Sequence, residues 1–248
     1  MDLMAYIRSI LMVTEKNMRI YYYKGGVVIF GLLFPLLMFL TFFIGRDLDL
    51  VLFFPGFLGM MLFFSSSSTG PLITPWEKRE KTYERLLSLP VTIDSIILGD
   101  ILAGAVFGVI ITTIVWTAST IFLGLPLLNA FVLLVALLLG AFTFAALGTL
   151  LSSPALSNPS NVMMISSLVR LPLIFVSGIF IPLSQLNGLE WYLTSLSPLT
   201  YLVDLFHGAL NGDSVYPPVF DIVILLFVII AFVACARAIQ VRNLRNGN

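Results

Sequence analysis

The side chains of this 248-residue chain that can do ionic chemistry are concentrated in one short stretch, TPWEKREKTYERLLSLP, beginning at Thr74. Glu77, Lys78, Arg79, Glu80, Lys81, Glu84 and Arg85 bring both signs of charge together at helical spacing. Trp76, Tyr83, Leu86 and Leu87 gather toward the other side of the same wheel. Mixed charge of this kind makes reversible polar contacts with another surface; it does not make or break bonds. Thr74 and Glu77 have the spacing of a capping box with Pro75 at the first helical position, which predicts a helix start at Thr74. Glu77 and Lys81 form a favourable i,i+4 pair, Pro90 ends the helix, and Thr92 can cap a second one. A solvated connector whose charges only fix topology is the alternative reading of the same pattern.

Little else in the chain offers chemistry. There is one His, His207, and one Cys, Cys235. No cluster has metal-ligand spacing, and no GxxxxGK[ST] loop cradles a phosphate. The chain therefore reads as a non-enzyme with no cofactor. Glu190, Asp204, His207 and Asp213 read as solvated groups, and Cys235, inside the last apolar run, as a small buried hydrophobe.

The elements that must position the charged stretch follow from composition. Of all residues 59% are hydrophobic and only 10% charged, against about 25% charged in a soluble domain. So few charges cannot cover a folded surface of this size, so the solvent for most of the chain is lipid. Six apolar runs, near residues 26–45, 50–70, 96–123, 127–151, 162–183 and 219–238, are long enough to cross about 30 Å of hydrocarbon as helices. The expected fold is all-α: a single polytopic domain over residues 1–248 with six transmembrane helices.

Charge also gives the orientation. Lys+Arg and Asp+Glu both number 13, so no global field recruits nucleic acid. Eleven of the thirteen basic residues nevertheless fall before the first span, between the second and third, or after the last. By the positive-inside rule both termini are cytoplasmic, with Arg46 on the opposite side and Arg170 inside the fifth span. The segment after the first span lacks a small-residue cleavage site, so that span reads as retained. Residues 1–24 carry Leu3, Met4, Ile7, Leu11, Thr14, Met18 and Tyr21 or Tyr22 on one stripe and Arg8, Glu15, Lys16 and Arg19 elsewhere, the pattern of a helix lying in the cytoplasmic interface or, equally, of an ordinary basic flank of the first span.

Arg170 leaves two readings open. It can snorkel to the cytoplasmic side, or it can meet an anionic headgroup on a transport route beside the flexible point made by Pro172. Gly104 and Gly108, and small residues at Ala141, Ala145 and Gly148, allow close helix packing. Residues 65–69 supply hydroxyls that can satisfy backbone groups near Pro71. Between the last two spans, Ser184 and Ser197-Pro198 mark starts of short helices, Asn211-Gly212-Asp213 a turn, and Trp191, Tyr192 and Tyr201 suit a headgroup interface where they would gate the exit.

Two stretches carry a family resemblance. WEKREKTYERLLSLPVTIDSIILGDIL resembles the cytoplasmic coupling region of the type-2 ATP-binding cassette export permeases, and SGIFIPLSQLNGLEWYLTSLSPLTYLVDLFHGAL resembles the same family's signature around the end of its fifth span. The sequence departs from the family at Leu186-Asn187, often Leu-Pro, at His207, often basic, and at Asp100, often Lys. The resemblance implies a permease subunit of an exporter in the cell membrane, working as a homodimer or a paired permease, with a separate ATPase subunit seated on the coupling helix. It implies coupling through Trp76 to Leu87, short helices capping the exit, and drugs, lipids, glycan precursors or peptides as substrates. An ion-coupled secondary transporter or a non-transporting membrane assembly subunit are the competing classes.

Overall fold

The computed structural model describes residues 3–44, 49–89, 91–154, 158–181, 183 and 188–245. Arg46, Pro90, Ser184 and Leu186-Asn187 lie outside the described residues. Within them the chain is helical, with no strand. The order is α1 (Leu3–Asn17), a π-helical turn (Met18–Tyr22), α2 (Gly25–Phe43), α3 (Leu50–Ser67), α4 (Gly70–Arg79), α5 (Thr82–Leu87), α6 (Ile93–Leu123), α7 (Ala130–Ser152), α8 (Pro159–Phe175), α9 (Leu189–Ser195), α10 (Pro198–Leu210) and α11 (Pro218–Arg245).

Four of these pieces are long and apolar enough to cross a membrane: Leu50–Arg79, Ile93–Leu123, Ala130–Ser152 and Pro218–Arg245. A fifth is added if Leu3–Tyr22 and Val27–Met38, which meet at 87°, count as one bent span. That is fewer than the six expected. The fifth expected run stops at Phe175 after 17 residues instead of continuing to residue 183. Past Pro172 the chain turns at Gly178, whose φ of +74° favours glycine and whose Cβ would meet Leu183 Cδ1 at 2.6 Å.

The second apolar run is central because it is buried all round. From Phe54 to Ser67 every residue of α3 is buried, and α6, α7, α10 and α2 surround it. Its glycines make this possible: Cβ atoms at Gly56 and Gly59 would meet Ile179 O at 3.0 Å and Val203 Cγ2 at 2.7 Å. The expected GxxxG packs against this helix, since a Cβ at Gly108 would lie 1.9 Å from Ser66 Oγ. Ser65 and Ser67 donate back to Met61 O and Phe63 O, both at 2.6 Å and one turn inside the helix, while Ser67 O, four residues before Pro71, accepts from Arg170 instead.

Lipid-facing sides explain two further features. The stripe Leu3, Met4, Ile7 and Leu11 of α1 points outward, while Val13 and Asn17 are buried against α6. Cys235 is exposed on α11, not buried as expected. The outer face of that helix borders solvent lipid, so an apolar run alone does not imply burial in protein.

Candidate functional site

The charged stretch folds as two short helices. α4 starts at Gly70, not at Thr74, and Pro75 lies inside it. The reason is tertiary. Gly70 fits closely against the backbone of Gly148, with 3.2 Å between its would-be Cβ and that carbonyl carbon, and Pro71 takes the early-helix position that needs no N–H. Leu72, Ile73, Thr74 and Pro75 are then buried, and that burial outweighs the local capping signal. α4 ends at Arg79, and the chain reverses through Lys81, the one described non-glycine residue with positive φ, at 56°. The expected single helix is thereby broken. Thr92 does cap the next helix, accepting from Ser95 N at 3.1 Å.

The reversal separates Lys81 from Glu77, and the expected i,i+4 pair does not form. Glu77 is instead 3% exposed and ion-paired with Lys16 of α1. The next residue of α1, Asn17, donates to Asp100 of α6 at 2.6 Å, both side chains being buried. Thr14 adds a bond to Gly99 O at 3.2 Å. Two neighbouring residues of α1 thus tie α4 to α6.

Aromatic contacts complete the unit. Trp76 stacks on Tyr21, with ring centroids 5.7 Å apart and planes 16° from parallel, and Lys24 Nζ stands over both rings at 5.8 and 5.9 Å. Tyr83 is buried under Lys78, whose Nζ is 5.8 Å from the ring. Burial pushes the Tyr83 phenol up to about 12, so it stays neutral. A cleft of about 750 Å³ opens between α1, the π-helical turn and α4–α5, and Glu80, Arg85 and Leu86 line it with Trp76. Arg79, Glu80, Lys81, Glu84 and Arg85 are exposed, and Leu86 and Leu87 half-buried.

The same end of the bundle receives the chain's last helix. Arg237 Nε donates to Asp94 at 2.6 Å, and Asn243 Nδ2 to Ser153 O at 2.8 Å. The described N-terminal and C-terminal segments therefore lie at one end with α4 and α5. Sequence reasoning placed Lys16 on a polar face but could not pair it. Tyr21 was legible only as part of the apolar stripe and Lys24 only as a basic flank of the first span, and Asn17 carried no signal.

Arg170 is buried at the join of α3 and α4. Its Nε donates to Ser166 O at 3.3 Å and its Nη1 to Ser67 O at 3.1 Å. The guanidinium thus sits at the carbonyl end of α3, where a cation is favoured. Pro172 is exposed, so the two residues do not converge on one surface.

At the other end, α9 and α10 form the short helices expected there. Ser197 precedes Pro198 at the start of α10, and the Ser197 hydroxyl donates to Leu173 O at 3.1 Å. Tyr201 is buried and donates to Ser195 O at 2.7 Å. Trp191 lies against Tyr192 at 5.3 Å and Tyr216 at 6.1 Å, and Tyr216 in turn against Tyr201 and Phe220. Tyr192 is exposed. Tyr216 and Phe220, unmarked in the sequence, hold the cluster together.

Of the ionisable groups at this end, Glu190 and Asp213 are exposed as expected, whereas His207 is half-buried and Asp204 buried. Asp204 is 2% exposed. Burial pushes its carboxyl above the usual range, opposed by the N–H groups of Val215 and Tyr216 and by His207, while burial pushes His207 down.

A bundle of buried and lipid-length apolar helices, closed at one end by charged interhelical pairs and at the other by short helices, defines a polytopic α-helical membrane protein. Residues 8–211 match the family model of the ABC-2 type transporter, and the chain belongs to that family, as a membrane component of transport. It is 29% identical over 145 residues to Nodulation protein J of Rhizobium meliloti (strain 1021), a match covering 55% of this chain and 52% of that protein. The match thus spans about half the length of that curated relative.

Proposed function

We propose that the chain is the permease subunit of an ATP-driven exporter, and that α4–α5 together with α1 forms the seat for a separate ATPase subunit at the cytoplasmic face of the cell membrane. The observation that carries this reading is the division of charge on α4–α5. Glu77 is spent inside the chain on Lys16, whereas Arg79, Glu80, Lys81, Glu84 and Arg85 remain exposed beside an open cleft. A partner pressing on these groups pushes on α4, and through Glu77, Lys16, Asn17 and Asp100 on α6. That rigid path is what converts a closing motion outside the membrane into movement of two spans.

The apolar outer faces of α2 and α8, with Ile29, Leu33, Leu168 and Phe175 exposed, suit lipid and a second permease copy, either identical or paired. The substrate class we assign is an amphipathic molecule such as a drug, lipid or glycan-like compound, in keeping with a largely apolar bundle. Trp191, Tyr192 and Tyr201 stand at the proposed exit. Arg170 and Pro172 are carried as the proposed substrate path, although two guanidinium donors already serve backbone carbonyls.

The experiment is co-purification with the cognate ATPase. Charge reversal at Arg79, Lys81 and Arg85 together is expected to abolish recovery of the ATPase and transport while the permease still accumulates in the membrane. Unchanged recovery and transport would sink the assignment.

A further inference from the structure

At the end of the bundle away from α4 and α5, two carboxyl groups face each other with almost no access to solvent. Asp204 of α10 is 2% exposed, and Asp221, in the first turn of α11, is 0% exposed. Asp204 is well supplied with donors: Oδ1 accepts from Val215 N and Oδ2 from Tyr216 N, each at 2.8 Å. Asp221 has none. Neither of its oxygens meets an N–H or O–H group of the described residues, and the charged group acting on it is the Asp204 carboxyl. Two ionised carboxylates have no hydrogen to share, and like charges in so dry a site repel far more strongly than in water. One proton removes both difficulties. A neutral Asp221 has an O–H to donate, and Asp204, already holding two N–H donors, is the member that stays ionised.

We propose that Asp204 and Asp221 hold one proton between them, and that this proton latches the cap helix α10 to the last membrane helix α11. α10 packs on α3 and α7, and the chain after it doubles back so that Val215 and Tyr216 reach Asp204. Loss of the proton leaves two adjacent negative charges on two different elements and drives them apart. Among the described residues, none of the surrounding groups supplies a substitute cation in a fixed ion pair. From α10 come His207 and Tyr201, and from the following turn Asp213 and Tyr216. α7 carries no titratable residue, and α6 carries Asp100 and Asp94, the latter paired with Arg237 at the opposite end of the bundle. Ahead of α3, Asp49 is exposed and caps its own helix at Val51. Glu190 and Tyr192 of α9 are exposed. His207 supports the ionised Asp204 when it is itself charged, and Asp213 supports a charged His207.

The test is the unfolding midpoint of the full chain in detergent between about pH 5 and 9, for wild type and Asp221→Asn. The native wild type keeps a proton that the unfolded chain sheds near the ordinary carboxylate value of about 3.9, so its stability falls as pH rises above that value until the native proton leaves. The unfolding equilibrium is expected to move by up to about tenfold per pH unit relative to Asp221→Asn, whose amide donates the same bond without titrating. An infrared measurement reads the proton directly and does not require that variant to fold. In an Asp100→Asn chain, which lacks the other buried carboxyl group without an ion pair, a carboxylic-acid C=O band is expected at neutral pH and is lost on alkaline titration. Parallel pH profiles for wild type and Asp221→Asn, or absence of that band, would overturn the proposal.

Discussion

At the end of the bundle that carries α4 and α5, charge is met by opposite charge from a distant helix: Glu77 by Lys16, Asp94 by Arg237. At the far end the buried groups are both acidic, and Asp204 and Asp221 face each other among aromatic rings. The first end opens into a cleft of about 750 Å³, while the space beside Asp204 and His207 is about 20 Å³. The difference is instructive. Opposite charges on separate helices hold their geometry over a wide pH range and leave further charges free for a partner, whereas like charges hold only while a proton is present. On the proposed reading, the first end takes the push of a partner and the second stays shut.

The sharpest way to break this contrast is to give the first end an uncompensated charge. Glu77→Ala strands Lys16 and is expected to cost about 3 kcal/mol, the low end for breaking a buried pair because Lys16 keeps some contact with solvent. The thermal midpoint in detergent reads the loss, and the exchange Glu77→Lys with Lys16→Glu should restore part of it. Arg170→Gln comes next, at about 1–3 kcal/mol, since it strips the cap from Ser67 O between α3 and α4. As a residue of the proposed substrate path, Arg170→Gln should also lower transport of anionic substrates more than of neutral ones; an equal loss for both would confine Arg170 to capping Ser67 O. Lys81→Gly should stabilise by about 0.5–1 kcal/mol, because glycine accepts the φ of 56° at the α4–α5 turn. Arg79→Glu with Arg85→Glu is expected to shift the midpoint by no more than about 0.5 kcal/mol, both side chains being exposed. Its effect should appear instead in ATPase recovery, which separates the docking surface from the internal link.

How much of this was legible in the sequence depends on the range of the interaction involved. The helix beginning after Thr92 was readable, because a cap and the N–H it accepts lie within one turn. The close approach at Gly104 and Gly108 was readable as a capability, although its partner Ser66 was not. The start of α4 was misread, since the Thr74, Pro75 and Glu77 signal is local while the fit of Gly70 against α7 is not. Trp191, Tyr192 and Tyr201, the proposed gate aromatics, were visible by type, but the ring that joins them, Tyr216, follows the turn after α10 and had no periodic pattern to mark it.

The sequence by itself determined that lipid is the solvent, that the chain is helical, and that its basic residues gather between particular apolar runs. These follow from composition and run length, because a bilayer demands long apolar segments with internally satisfied backbones. Only the tertiary structure decided which charges meet. Glu77 and Lys16 are separated by 61 positions and Asn17 and Asp100 by 83, and Asp204 and Asp221 lie on different helices. No local periodicity encodes such pairs. They exist because packed helices exclude water, and a buried charge then settles on whatever opposite charge, donor or proton the neighbouring helix brings within reach.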